Sequence, residues 1–425
     1  MPTVTDRDPR VKPLLGRYAS VRAFTEHLCA PLTTEDYVIQ SMTDVSPTKW
    51  HLAHTSWFFE TFVLKPHLES YVELDPAYAF LFNSYYMQIG ARHCRAQRGT
   101  LSRPTVAEVF AYRQHVDGAV HDLLDCADGA LLHRTQSLIE LGLHHEQQHQ
   151  ELILTDIKHV LSVNPLRPSY RKTSSTRPGA TPELAWISFP GGVQWIGHDG
   201  AGFAYDNEAP RHRVFLEPFA LASRLVTTGE YLEFMADSGY RRSELWLSLG
   251  WEAVEASHWS EPFYWERRDE EWWTFTLDGP RPIDPAEPVA HLSYFEADAF
   301  ARWAGARLPT EAEWEVAAAA LAPAGNFVES GRLHPTPAEC TAGGGLQQMY
   351  GDLWEWTQSP YTPYPGFRSA PGAVGEYNGK FMCNQFVLRG GSCATSATHI
   401  RPTYRNLFPP EATWQFTGLR LARDG

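Results

Sequence analysis

Up to about Leu161 the apolar residues recur every three or four positions, and the segments Leu14–Leu32, Thr48–Leu64, Thr105–Leu124 and Arg134–Leu161 each carry one apolar stripe. That period predicts four amphipathic helices, and four such helices joined by loops predict a helix bundle. The stretch VNPLRPSYRKTSSTRPGATPE, Val163 to Glu183, loses the period and is rich in Pro, Ser, Thr and positive charge. It reads as an interdomain linker, which we place at 166–183, between a bundle at 1–165 and a second domain at 184–425. Beyond it the pattern changes to short β-rich runs between Gly/Pro turns, and thirteen of the fifteen tryptophans lie there. Three capping boxes, Thr227-x-x-Glu230, Ser293-x-x-Glu296 and Thr310-x-x-Glu313, mark helix starts. In each, a hydroxyl and a carboxylate take up backbone N–H groups that the first turn leaves unpaired. The expected class is α+β.

Composition narrows the function. A chain of 425 residues is long enough for two cores. A net charge of -14 with no long basic run repels a polyanion, so no nucleic-acid partner is expected. No stretch reaches the ~18 apolar residues of a membrane span, and MPTVTDRDPRVKPLLGRYAS has no apolar core of signal-peptide length, so no membrane association is expected. The six cysteines form no C-x-x-C pair, which suits a reducing, cytoplasmic setting.

The sharpest local chemistry is LGLHHEQQHQELIL, beginning at Leu141. His145 and His149 are four apart, share a helical face and can bind one metal ion. They interrupt an apolar stripe formed by Leu138, Leu141 and Leu152, as a metal site inside a bundle requires. Glu151, two residues from His149 at ~100° each, points nearly opposite and reads as a capping or surface residue. His144 is turned away by ~100°. A third ligand is expected from TKWHLAHTSWFFETF, where His54 sits mid-stripe among Trp50, Trp57, Phe58 and Phe62, and His51 lies towards the edge. Three histidines with open positions describe zinc sites as well as iron sites, and spacing does not separate them.

Taken in order, WHLAHTSWFFE and HxxxHxE (His145, His149, Glu151) in the first half, and FPGGVQWIG, VTTGEYLEFM, ARLPTEAEWEVAA, GDLWEWT, VLRGGS and TGLRLARD in the second, span nearly the whole chain. In this combination the chain resembles the sulfoxide synthases of ergothioneine biosynthesis, which join a DinB-like four-helix bundle to a C-type-lectin-like domain related to formylglycine-generating enzymes (sulfatase-modifying factors). The resemblance implies Fe(II) held by His54, His145 and His149. It implies an oxygen-dependent enzyme that joins the sulfur of cysteine or γ-glutamylcysteine to the imidazole of Nα-trimethylhistidine (hercynine) and yields a sulfoxide. Formylglycine generation itself needs a cysteine pair after the GGS motif, and here Cys393 is followed by no second cysteine.

Other residues complete the expected site. FNSYYMQIGARHCRAQRG offers Tyr85 and Tyr86 as proton donors to reduced oxygen, with Tyr404 a weaker candidate. Family members use a tyrosine for this. Arg92 and Arg95 can clamp the thiol substrate's carboxylate, a role an arginine pair near this point serves in the family. Gln148 shares the metal-facing stripe; Asn406 and the Trp414-Gln415-Phe416 segment are candidates for gripping the betaine, whose quaternary ammonium suits an aromatic face. Trp354 and Trp356 read as core. The rival readings are an ovothiol-type synthase acting on histidine itself, a DinB-type zinc thiol transferase, and a lectin-like binding module. Oligomeric state, regiochemistry and any calcium site are not readable from the sequence.

Overall fold

The structure is a computed structural model that describes residues 8–172, 181–340 and 345–425. Positions 173–180 of the expected linker lie outside the described residues. The chain divides into two compact units: Met1–Pro165 with Gly372–Tyr377, and Leu166–Pro371 with Asn378–Gly425. No described helix is long and apolar enough to cross a membrane.

The first unit is the four-helix bundle that the apolar period predicts. Its long helices are α1 (Val11–Cys29), α2 (Thr48–Phe59), α3 (Val106–Asp125) and α4 (Gly129–Val163). On α1 the buried side chains Leu14, Tyr18, Val21, Thr25 and Leu28 follow one another at three- and four-residue steps, with Arg22 buried beside Val21. On α3 the same spacing buries Val109, Tyr112, Val116 and Val120, with Arg113 buried beside Tyr112. Thr105 opens α3 with a capping box to Glu108, and Asp128 caps α4 by accepting from the Leu131 N–H at 2.7 Å. Helix α2 is buried at every residue and runs on through a π-helical turn, Glu60–Leu64. That turn places the Glu60 carboxylate inside, where Tyr112 donates to it at 2.8 Å. A buried carboxylate held this way keeps its desolvation offset.

Helix α2 packs on both α3 and α4, and α1 packs on α4. The approach of α2 to α4 is set by Gly142. A Cβ there would lie 2.6 Å from Phe59 Cε1 and 2.8 Å from Phe59 Cζ, so only glycine lets the two helices close to this distance.

In the second unit, strands β1 (Trp186–Phe189), β4 (Phe219–Ala222) and β12 (Ala422–Asp424) form one sheet. A second sheet runs β10 (Asn406–Phe408), β9 (Phe386–Arg389), β8 (Trp354–Pro360) and β11 (Thr417–Gly418), with β11 parallel to β8. Smaller antiparallel pieces are β2 (Gly192–Ile196) with β3 (His212–Leu216), and β5 (Trp265–Arg268), β6 (Glu271–Thr276) and β7 (Gly279–Pro282). All three capping boxes form, at the starts of α5 (Thr228–Ala236), α7 (Tyr294–Trp303) and α8 (Glu311–Ala318); α6 is Ser248–Ser257. Trp354 and Trp356 are core residues, and the Trp356 indole donates to the Leu292 carbonyl at 2.9 Å. Between them Glu355 is buried against Arg420, which donates to both its oxygens at 2.9 Å. Helices and irregular chain around small sheets make this an α+β domain.

Candidate metal centre

Three imidazoles, His54 from α2 and His145 and His149 from α4, bring ligand atoms within 4.8 Å of one another, and all three are buried. The His54 and His145 Nε2 atoms stand 3.2 Å apart. Two nitrogens bound to one ion through ~2.1 Å bonds lie roughly 3.0–3.4 Å apart, so this spacing fits a shared cation. Burial pulls the pKa of His145 down to about 3 and those of His54 and His149 well below the ordinary histidine value. The imidazoles are therefore neutral at pH 7, the form that ligates metal.

Two of the three rings are oriented from behind. His54 Nδ1 lies 2.6 Å from the Phe82 carbonyl, which only accepts; the ring therefore carries its proton on Nδ1 and turns a lone pair on Nε2 inward. The same ring sits between Trp50, at 4.6 Å between centres and 12°, and Trp57, at 5.5 Å and 15°. His149 Nδ1 faces His51 Nδ1 at 2.8 Å, and His51 Nε2 is 3.1 Å from the Asp156 carboxylate. His145 Nδ1 has no hydrogen-bond partner among the described residues.

The surroundings add two groups not expected from the sequence. Arg98 is buried and lies over the Trp50 ring at 3.3 Å, donating to Ser46 Oγ at 2.8 Å. Burial, together with the charges of Arg95 and Arg92, lowers its pKa to about 9, so it remains a cation at neutral pH. Tyr377, carried by the short segment that the first unit draws from Gly372–Tyr377, has its ring centre 5.7 Å from that of His145 and 6.0 Å from that of Tyr85. The segment is fixed by Glu376, whose carboxylate accepts from the Met87 and Gln88 N–H groups at 2.9 Å.

The expected site residues are distributed as follows. Tyr86 is fully buried against Trp57 and Phe62, and Tyr85 stacks on Tyr86 at 4.8 Å. Burial raises the Tyr85 hydroxyl pKa above the ordinary tyrosine value, a shift that its hydrogen bond with Tyr86 opposes. Gln148 is half-buried on α4, as are Leu138, Leu141 and Leu152 of its stripe. Glu151 is buried, which corrects its reading as a surface residue, and His144 pairs with Arg17 at 2.7 Å. Arg92 and Arg95 are exposed and donate to the Ser84 and Asp44 carbonyls, and no contact joins them to the imidazoles.

In the second unit Asn406 is half-buried and accepts from the Leu407 N–H at 2.9 Å. Phe416 is fully buried beside His291. The Trp414 Nε1 and Gln415 Nε2 donors are buried without hydrogen-bond partners among the described residues. Tyr404 pairs with His399 at 3.1 Å.

Of the groups around the triad, the sequence reading places His51 only at the edge of its stripe and does not single out Asp156, Arg98 or Tyr377. Asp156 did leave a signal, since it stands seven residues after His149 and so on the same face of α4. Tyr377 left none, because nothing in the local pattern ties GEYN to the bundle.

Comparison with known proteins bears on this arrangement. Residues 17–153 match the DinB superfamily, and residues 172–343 and 323–425 match the sulfatase-modifying factor enzyme 1-like domain. The fold and site thus define a DinB bundle fused to a sulfatase-modifying-factor-like domain. Hercynine oxygenase of Mycolicibacterium thermoresistibile is 34% identical over 89% of this chain and 88% of its own. Hercynine oxygenase of Mycobacterium tuberculosis is 34% identical over 89% of this chain and 91% of its own. A formylglycine-generating enzyme of Streptomyces coelicolor is 28% identical over 60% of this chain. The chain belongs to the hercynine oxygenase family and is an oxygen-dependent oxidoreductase.

Proposed function

We propose that the chain is a non-heme Fe(II) sulfoxide synthase of ergothioneine biosynthesis, acting on hercynine and on cysteine or γ-glutamylcysteine in the cytoplasm. The observation that carries this reading is the buried, neutral, inward-facing imidazole triad in a chain 34% identical to hercynine oxygenases. Thiol, imidazole C–H and dioxygen give a C–S bond, one S–O bond and one water, so no further reductant enters. His54, His145 and His149 would hold the iron, which when bound supplies the redox chemistry with oxygen that zinc lacks.

The chain's own residues do the rest. The two tryptophans flanking His54 exclude water from one side of the triad. Tyr377 Oη is the proton donor to the oxygen being reduced, a role supported by its ring contact with His145. Tyr85 and Tyr86 back it within the same cluster. Arg92 and Arg95 clamp the thiol substrate's carboxylate, and Gln148 takes a hydrogen bond to the substrate imidazole or carboxylate. In the second unit, Asn406 and the Trp414–Phe416 segment stay candidates for the betaine.

The test supplies the Fe(II) protein with hercynine and each thiol in air and identifies products by mass spectrometry and NMR. A C–S sulfoxide with one thiol is expected. Oxygen uptake with thiol alone and no C–S product would reject the reading, and tight zinc without oxygen uptake would favour a thiol transferase. Tyr377→Phe is expected to slow sulfoxide formation or divert oxygen to thiol oxidation, more than Tyr86→Phe does.

A further inference from the structure

The imidazoles of His54 and His149 are each fixed from behind, but by different means. His54 leans on a backbone carbonyl. His149 leans on another side chain, and that side chain leans on a third. Ser46 N–H donates to Asp156 Oδ2 at 2.7 Å, and the same oxygen lies 3.1 Å from His51 Nε2. His51 Nδ1 then meets His149 Nδ1 at 2.8 Å. All four residues are buried, so water does not complete these contacts from outside.

Only one proton arrangement of neutral rings fits this row. The carboxylate accepts, so His51 carries its proton on Nε2 and presents a lone pair at Nδ1. That lone pair accepts a hydrogen bond from His149 Nδ1–H, and His149 carries its lone pair on Nε2. Reversing the row would set the Asp156 oxygen against an unprotonated His51 Nε2 and place the proton of His149 on Nε2, where it could not ligate.

We propose that His51 and Asp156 are positioning residues of the metal centre: Asp156 sets the tautomer of His51, and His51 sets the tautomer and ring angle of His149. The proposal rests on the metal reading of the triad. Ser46 extends the row, because its hydroxyl accepts from Arg98, which lies over the Trp50 ring that stacks on His54. One connected set of side chains thereby reaches two of the three imidazoles from outside.

The probe is Co(II) alone, bound to the full chain and read by its ligand-field absorption and by competition titration. His51→Leu removes both hydrogen bonds and is expected to weaken Co(II) binding about 10–100-fold, as loss of an outer partner of a ligating histidine does elsewhere, and to alter the spectrum. His51→Gln keeps a donor for Asp156 and an acceptor for His149 at similar spacing. It should restore affinity to within about threefold of wild type. His51→Asn is too short to bridge both and should fall below Gln, so the ordering of Gln over Asn carries the test even if the Leu variant does not fold.

Wild-type affinity and spectrum in His51→Leu would overturn the proposal. So would X-ray absorption showing one fewer imidazole in His51→Gln than in wild type, which would make His51 itself a ligand. Wild-type protein that takes up no Co(II) would instead overturn the metal reading beneath it.

Discussion

His145 and Glu146 are neighbours on α4, yet the polar groups they face are organised in opposite ways. Around Glu146 every charge is matched. Its carboxylate accepts from Thr25 at 2.6 Å, from Arg113 at 2.5 Å and from Arg22 at 2.9 Å, and Arg22 continues to Ser56 at 2.9 Å and Asp117 at 2.6 Å. Burial pushes the Glu146 pKa up, but the two guanidiniums outweigh it and leave the value at about 2. Around His145 the polar atoms are buried just as deeply, but the converging ligand atoms are three imidazole nitrogens with no carboxylate or guanidinium among them. A buried polar cluster that is complete holds helices together; one left incomplete in the same bundle asks for a cation. The first cluster draws side chains from all four long helices and so fixes the frame in which the second is assembled.

Removing one member of the complete cluster should therefore hurt the fold, whereas removing one imidazole should hurt only the response to metal. Glu146→Ala removes the one fully buried counter-charge and leaves Arg22 with Asp117 alone and Arg113 with the partly exposed Glu26 alone, so about 3–5 kcal/mol of stability should be lost, measured by denaturant unfolding of metal-free protein. A loss below about 1 kcal/mol would mean the pairs only offset their own desolvation.

The opposite behaviour is expected of His149→Ala. Metal at about 100 times its Kd should stabilise wild type by about 2.7 kcal/mol in thermal unfolding and should not stabilise the variant, while metal-free stability changes little. A metal-dependent shift surviving in His149→Ala would remove that residue from the ligand set.

How much of this contrast the sequence carries differs between its halves. The imidazole seam is legible because helical period is local: His145 and His149 are one turn apart, and His54 sits mid-stripe on a second amphipathic segment. The capping boxes of the second unit are legible for the same reason, since cap and third residue lie within one turn. The ion cluster around Glu146 is not legible, because Arg22, Asp117 and Glu146 meet only when α1, α3 and α4 are packed. Nor is His51's place: it differs from His54 by three residues, and which one faces the metal and which supports a ligand depends on the rotation of α2. Tyr377 comes from a stretch more than 200 residues after α4. Residue type alone does not separate Arg98 from Arg92 and Arg95, because its burial comes from packing over the Trp50 ring.

Gly142 belongs to neither cluster but controls the distance on which both depend, one turn before His145 and Glu146. Gly142→Ala puts a methyl group where Phe59 already lies, and overpacking of this kind costs about 1–3 kcal/mol. Better helix propensity returns about 1 kcal/mol, so the net loss in metal-free protein should be small, roughly 0–2 kcal/mol. The two clusters should not share that strain equally. Long guanidinium side chains can follow a displaced helix by rotating, whereas imidazoles are short and two of them are pinned at Nδ1, so a wider α2–α4 gap lengthens the 3.2 Å edge between His54 and His145. Metal affinity should thus fall by a larger factor than stability does. Phe59→Leu in the Gly142→Ala background should recover affinity by removing the ring that the methyl group meets. Equal losses in affinity and stability, or no recovery in the double variant, would show that the imidazoles do not depend on this approach of the two helices.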